Sequence, residues 1–251
     1  MQELCTPIIF GSSKSASFHR KAIGIEDFNF NVIESPSKAN NKKVNLINCW
    51  KEEAKITLGE NTAEGGMFAV KSLEAATNAL QKDEVDVLVT APINKQNIQS
   101  DSFQFPGHTE YLAAKAKGDA LMLMLSESMR IGVVTGHLPL KQVSANISQE
   151  KVLEKLRLLN KSLNQDFGIR KPKIAVLGLN PHAGDKGLLG REEDDIISPA
   201  LQKAKEENIV SFGPYPADSF FGSDKLYAFD GILAMYHDQG LIPFKTLAFG
   251  K

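Results

Sequence analysis

The clearest indication of the fold is the segment of residues 231–245, Gly231-Ile-Leu-Ala-Met-Tyr-His237-Asp238-Gln-Gly240-Leu-Ile-Pro243-Phe-Lys245. The unbroken apolar run from Ile232 to Met235 is typical of a strand that is covered on both faces. Gly240 and Pro243 are predicted to end this segment. His237 and Asp238 then follow the carboxyl end of a strand, which is the edge of an open α/β sheet where ligands bind.

Two other apolar runs end in the same way. They are Arg130-Ile-Gly-Val-Val-Thr-Gly-His137 and Lys173-Ile-Ala-Val-Leu-Gly-Leu-Asn-Pro-His182. If the three strands belong to one parallel sheet, three imidazoles can meet at one edge, an arrangement that suits a divalent transition ion. A single histidine at a strand end is more often a hydrogen-bonded loop residue, so the repetition is what favours a metal site.

Composition places the chain among ordinary globular proteins of one large α/β domain or two lobes. It has 251 residues and a net charge of -1, which argues against a general nucleic-acid or membrane-surface role. Cys5 and Cys49 have no spacing typical of zinc or a disulfide framework. With no apolar run long enough to cross a bilayer and no export signal, the expected location is the cytoplasm.

A possible anion site lies in the first half of the chain. Residues 85–89 are predicted to form a buried strand whose end carries Thr90, Asn94 and Lys95, and a substrate-facing Lys95 is expected. In Gly107-His108-Thr109, Thr109 is predicted to cap a helix whose first N–H groups accept a phosphate or carboxylate. A plain cap with a surface histidine fits the local sequence equally well.

Two acidic features of the second half are ambiguous. The run Arg191-Glu-Glu-Asp-Asp195 is interpreted first as structural, because acidic residues at a helix start complement the helix dipole. Asp218 is either a hydrogen-bonding partner for a substrate hydroxyl or a helix cap.

Taken together, the motifs resemble the 4-hydroxythreonine-4-phosphate dehydrogenase family of pyridoxal phosphate biosynthesis. The matching motifs, in chain order, are Val89-Thr-Ala-Pro-Ile-Asn-Lys95, Phe105-Pro-Gly-His-Thr-Glu110, Thr135-Gly-His-Leu-Pro-Leu140, Leu179-Asn-Pro-His-Ala-Gly-Asp185, Pro216-Ala-Asp218 and Tyr236-His-Asp-Gln-Gly240. The resemblance implies an α/β/α subunit of two lobes, similar to the isocitrate and isopropylmalate dehydrogenases, acting as a homodimer with a shared active site. The expected lobes are residues 1–105 with 236–251, and residues 106–235.

The resemblance also implies site residues. A divalent ion (Zn, Co, Mg or Mn) would be held by His137 and His182 of one subunit and by His237 of its mate. His108 and Thr109 would bind the phosphorylated substrate. Two further residues are implied at the site: Lys245 at the substrate and Asp218 near the reacting carbon.

The implied chemistry uses NAD to oxidise the secondary hydroxyl of 4-phosphooxy-L-threonine, followed by loss of carbon dioxide to give 3-amino-2-oxopropyl phosphate. A metal at the hydroxyl oxygen suits both steps. The cofactor-binding residues stay unassigned, since no Gly-x-Gly-x-x-Gly turn is present.

The sequence departs from the family pattern at both ends. It lacks the family's initial Gly-Asp-Pro-x-Gly-x-Gly type turn and stops at Lys251, before a segment that carries an asparagine and an arginine. Met1 is therefore interpreted as an internal methionine of a longer chain. Alternatives are the same chemistry on a phosphorylated four-carbon sugar acid, a phosphate acyltransferase of related fold, and an inactive metal- or phosphate-binding remnant.

Overall fold

The computed structural model describes residues 3–25, 27–101 and 103–249, and within them the chain alternates strands with helices. The strands are β1 (Ile8–Gly11), β2 (Asn31–Ile33), β3 (Asn45–Asn48), β4 (Met122–Leu125), β5 (Arg130–Thr135), β6 (Ile174–Leu177), β7 (Ser211–Tyr215) and β8 (Gly231–Tyr236). The helices are α1 (Ser13–Ala22), α2 (Ala63–Gln81), α3 (His108–Ala116), α4 (Gln149–Gln165), α5 (Ser198–Glu206), α6 (Ala217–Phe221) and α7 (His237–Ala248). The predicted α/β class is confirmed.

The chain divides into two compact units, Met1–Ala120 and Leu121–Lys251. This division differs from the predicted lobes, because β8 is an inner strand of the second unit's sheet and α7 packs on β5 and β8. The elements of residues 231–248 therefore belong with their sheet neighbours. Gly250 and Lys251, which the prediction placed in the first lobe, lie outside the described residues.

The second unit contains a five-stranded sheet in the order β4-β5-β8-β6-β7. β5, β8 and β6 run parallel, while β4 pairs antiparallel with β5. Alternate residues of β8 face opposite cores: Leu233 and Met235 pack in the core that contains α4, and Ile232 and Ala234 pack in the core that contains α7. Because both faces are covered, the strand is apolar without interruption, as predicted.

The segment after β8 is a helix, so the expectation that Gly240 and Pro243 end the structure there is wrong. α7 begins at His237 and includes both residues. A Cβ atom added at Gly240 would lie 3.1 Å from a side-chain carbon of Ile131 and 3.1 Å from one of Val133. Gly240 therefore lets the helix backbone lie close against β5, a packing role that the sequence pattern did not separate from a turn.

The first unit contains a smaller parallel sheet in the order β1-β3-β2. Thr62 caps α2 by accepting a hydrogen bond from the N–H of Gly65. A small core joins this helix to α3, and its buried members are Val70, Leu73, Ile98, Phe103 and Tyr111.

The predicted strand at residues 85–89 does not form. Residues 85–94 have no strand pairing, and Val87 and Val89 are 75% and 89% exposed. Leu88 alone of this run packs against the small core. A strand needs a neighbour for its N–H and C=O groups, and the described residues offer none beside this run. Over the same described ranges, no helix is both long and apolar enough to cross a membrane.

Candidate active site

Three adjacent parallel strands of the second unit end in the predicted histidines. β8 lies between β5 and β6, so the carboxyl ends of the three strands share one edge of the sheet. His137 follows β5 after Gly136, His237 follows β8 directly, and His182 lies in the loop after β6. The prediction that these strands share one edge is confirmed.

The His137 and His237 rings lie beside each other at this edge. Their ring centres are 5.3 Å apart. A histidine nitrogen binds zinc at about 2.0–2.1 Å, so two histidines sharing an ion tetrahedrally have ring centres roughly 5 Å apart. The pair therefore fits the donor set and spacing of a divalent ion within one subunit.

Asp238 fixes the orientation of the His237 ring. Its carboxylate lies 2.7 Å from Nδ1 of His237, whose side chain is 31% exposed. Because a carboxylate accepts, Nδ1 is the donor of this pair, and Nε2 is the ring nitrogen left to face a ligand. A carboxylate behind a histidine is the usual support of a metal-binding imidazole.

His182 is exposed and occupies an unusual backbone conformation. Five successive residues, His182 to Lys186, have left-handed φ angles between 44° and 82°. Only Gly184 among them adopts this region freely, and each of the others costs about 1–2 kcal/mol. Within residues 3–25, 27–101 and 103–249, no three side chains of His, Cys, Asp or Glu are grouped closely enough to hold an ion. That the His182 ring completes a metal site with His137 and His237 therefore stays a prediction.

The loop of His182 is fastened by two glutamates. Glu193 is 2% exposed, and its Oε1 accepts the N–H groups of Leu179 and Asn180, both at 2.7 Å. Glu192 accepts hydrogen bonds from Ser144 and Asn180, which lower its pKa. The interpretation of this acidic run as a dipole-complementing helix start is incomplete, because these two residues point back into the loop after β6. No local signal in the sequence assigns this role to the two glutamates.

Gln239 ties two of the strand ends together. Its side-chain Nε2 donates to the carbonyl of Gly178 at 2.6 Å, and its Oε1 accepts the N–H of Met235 at 2.7 Å. This bridge joins the exit of β6 to the first turn of α7. Sequence reasoning included Gln239 in a motif but gave it no role.

Asp218 and Lys245 are both exposed and lie on different helices. Asp218 is in the first turn of α6, whose N-cap is Pro216, so the alternative that it caps a helix is wrong. Lys245 is in the last turn of α7. Both side chains are available to solvent or a ligand.

In the first unit, α3 begins at His108, and its N-cap is Gly107 rather than the predicted Thr109. No side chain caps this end. Lys95 is near, since a Cβ atom added at Gly107 would lie 3.7 Å from its Cε. Partial burial lowers the pKa of His108, so its ring is neutral near pH 7. Open N–H groups, a neutral imidazole and a lysine favour an anion here, while the Glu110 carboxylate, whose Oε2 would lie 3.4 Å from the same added Cβ atom, opposes one.

Comparison with known proteins gives consistent results. A family model described as pyridoxal phosphate biosynthetic protein PdxA matches residues 3–251. A 4-hydroxythreonine-4-phosphate dehydrogenase of Bacteroides thetaiotaomicron is 48% identical over 99% of this chain and 68% of its own length. The crystal structure of a 4-hydroxythreonine-4-phosphate dehydrogenase from Klebsiella pneumoniae superposes with a TM-score of 0.88 at 29% identity, covering 96% of this chain and 74% of that one. A terephthalate 1,2-cis-dihydrodioldehydrogenase from Burkholderia xenovorans LB400 superposes with a TM-score of 0.67 at 25% identity, over 96% of this chain and 82% of its own.

Proposed function

Because the chain belongs to the PdxA family of pyridoxal phosphate biosynthetic proteins, we propose that it is an NAD-dependent dehydrogenase that oxidises and decarboxylates 4-phosphooxy-L-threonine. The product is 3-amino-2-oxopropyl phosphate. The observation that carries the proposal is the common edge of β5, β8 and β6, where the His137 and His237 rings lie 5.3 Å apart. A homodimer and a cytoplasmic location belong to the same proposal and stay predictions.

The ion-binding residues of the proposal are His137, His182 and His237. These residues would hold a divalent ion, and the chemistry such an ion would supply is that of a Lewis acid. Asp238 holds the ring of His237 with Nε2 directed away from the carboxylate. The resemblance implies that His237 serves the site of the mate subunit, whereas its ring lies beside His137 in the same chain. The ion site is therefore either shared between subunits or formed within one subunit. Heterodimers that carry His137→Ala in one subunit and His237→Ala in the other distinguish these two arrangements.

The substrate phosphate is proposed to bind at the start of α3. His108 donates one hydrogen bond as a neutral imidazole, because burial lowers its pKa. Thr109 adds a hydroxyl donor, and the uncapped N–H groups of the first turn complete the environment. Lys95 adds a positive charge nearby.

Asp218 is proposed to act at the reacting carbon of the substrate, and Lys245 at its phosphate or carboxylate group. Asp218 accepts the hydrogen bond of the substrate hydroxyl and takes its proton as the alcohol becomes a ketone. NAD supplies the acceptor for the hydride. Lys245 offsets the charge of the phosphate or the carboxylate and so helps to bind and orient the substrate. The residues that bind NAD are not assigned by any local motif of this chain.

The test follows NADH absorbance with 4-phosphooxy-L-threonine as substrate, with and without a chelator. Turnover that the chelator abolishes and added Zn²⁺ or Co²⁺ restores is the expected result. Turnover that resists the chelator would contradict the metal assignment. Since the chain spans 68% of the Bacteroides relative's length, a protein extended to the full family length is assayed beside it.

A parallel assay with phosphorylated four-carbon sugar acids addresses the alternative substrate. The dihydrodiol dehydrogenase among the structural relatives is named for a different alcohol, so a shared fold does not fix the substrate. Activity confined to the sugar acids would replace the proposed substrate and retain the chemistry. Inactivity of both proteins towards both substrate classes would favour a binding remnant.

A further inference from the structure

We infer that Glu193 is a positioning residue for His182: its buried carboxylate sets the shape of the loop that carries this imidazole. The inference rests on the proposed function only in taking His182 as an ion-binding residue. Glu193 itself lies behind the loop, at 2% exposure, and touches neither ion nor substrate in the proposal.

The first support is the set of groups that Glu193 binds. Oε1 accepts two consecutive backbone N–H groups, those of Leu179 and Asn180, and Oε2 accepts the side-chain amide of Asn180 at 3.0 Å. All three donors come from the segment between β6 and His182. A carboxylate at this depth is expensive to desolvate and is normally neutralised by a cation. Across the described ranges, no salt bridge involves Glu193, so these three hydrogen bonds offset the cost of burying its carboxylate.

The second support is the space that the loop leaves for the carboxylate. A Cβ atom added at Gly178 would lie 3.0 Å from Oε1, and one added at Gly184 would lie 2.7 Å from Oε2. Glycines therefore stand where any side chain would displace the acid. Gly184 lies inside the left-handed segment that starts at His182, so the carboxylate lies beside this segment at its one glycine. Strain of this kind persists only where surrounding contacts impose it, and it concentrates at functional sites.

The third support links this loop to His237. Gln239 donates to the carbonyl of Gly178, in the same segment whose N–H groups Glu193 binds, and it lies in the helix that begins with His237. Glu193 and Gln239 thus hold the exit of β6 from two sides. A change at Glu193 is therefore expected to move His182 relative to an anchored His237.

The test replaces Glu193 by Gln, which keeps the size of the side chain but puts an NH₂ group where an acceptor is needed. Binding of Zn²⁺ and Co²⁺ alone is measured by calorimetry, and the Co²⁺ visible spectrum reports the ligand geometry. We expect an altered Co²⁺ spectrum and an affinity lower by at most about 10–100-fold, the range for groups that bond a metal ligand directly, because Glu193 acts on His182 through the loop backbone. Asp194→Asn is the matched control, since it neutralises the adjacent but exposed acid.

Amide hydrogen exchange of the metal-free protein gives a second readout. The Leu179 and Asn180 amides are expected to lose protection in Glu193→Gln, while the amides of Ile232 to Met235 in β8 keep theirs. If Glu193→Gln does not fold, Asn180→Ser removes the side-chain donor that Glu193 shares with Glu192 and keeps both backbone donors, and it is expected to lower the affinity less, in the same direction. Ion affinity and spectrum equal to wild type in the folded variants would overturn the inference. A wild-type protein that binds neither ion would instead overturn the metal site of the proposed function.

Discussion

The two units of the chain use similar amounts of apolar sequence with different results. In the second unit, β8 has helices on both faces and neighbours on both edges, and residues Leu233 to Met235 are fully buried. In the first unit, the run at residues 85–89, apolar except for Asp86, has no strand partner and leaves Val87 and Val89 exposed. An apolar run becomes a strand where long-range neighbours supply hydrogen bonds and cover, and composition alone does not supply them.

The candidate site residues of the two units also differ in how firmly the fold holds them. In the second unit, rigid strand ends deliver His137 and His237, and the sheet fixes where they meet. In the first unit, His108 depends on a single helix start supported by a small core. Changes at the sheet edge are therefore expected to alter ion binding without altering stability, and changes in the two cores are expected to differ in their cost.

The largest effect is expected for His182→Ala. The side chain is exposed, so its loss leaves the free energy of unfolding nearly unchanged. Loss of an ion ligand exceeds the roughly 10–100-fold effect of outer-shell changes, so turnover and Co²⁺ affinity are expected to fall by more than about 100-fold. His19→Ala, at an exposed histidine of the first unit, is the control for a general histidine effect. Unchanged kcat and ion affinity in His182→Ala would remove this residue from the site.

A pair of substitutions, one in the core of the second unit and one in the exposed run of the first, measures the contrast between the units directly. Leu233→Ala, in the middle of the five-stranded sheet, is expected to lower the free energy of unfolding by about 2–5 kcal/mol. Val87→Ala, in the exposed run, is expected to change it by less than about 0.5 kcal/mol. Urea unfolding followed by circular dichroism gives both values. A cost at Val87 comparable with that at Leu233 would mean that the run is buried in solution.

Much of the second unit could be predicted from the sequence because its signals are local. Short apolar runs ending at Gly or Pro marked β5, β6 and β8, and their common edge followed from the rules for parallel sheets. The role of Glu193 could not be predicted in this way. Its partners lie 13 and 14 positions earlier in the chain, and only the folded loop brings them to a buried carboxylate.

Glycines show the same limit. Gly240 follows a strand and precedes Pro243, so local sequence favours a turn, yet it lies within α7 because the helix must approach Ile131 and Val133 closely. Whether a glycine serves a turn or a close approach is decided by residues about a hundred positions away. The local sequence around Gly240 does not indicate which distant residues it will contact.

Gly240→Ala tests this close approach in the well-packed unit. The added methyl group would lie 3.1 Å from side-chain carbons of Ile131 and Val133 and 3.3 Å from Cβ of Ala234, so these side chains or the helix must shift to make room. Overpacking of this kind costs about 1–3 kcal/mol, measured by urea unfolding. Gly118→Ala in the first unit, whose nearest neighbour would be 3.9 Å away, is the matched control. Equal costs at the two positions would show that α7 is not held tightly against the sheet.

The smallest effect is a pH dependence in the first unit. Burial lowers the pKa of His108 below its ordinary 6.5, so the unfolded chain binds its proton at a pH where the folded chain does not. Stability from this group is therefore complete above pH 6.5 and is lost as the pH falls from 6.5 through the lower pKa of the folded state. His108→Gln is expected to flatten the fall in the free energy of unfolding between pH 7.5 and 5.5, by less than the cost of Gly240→Ala. His19→Gln, which removes an exposed histidine, is the control. A pH dependence identical in wild type and His108→Gln would show that the His108 side chain is solvated. The start of α3 would then lack the partial burial that keeps this imidazole neutral.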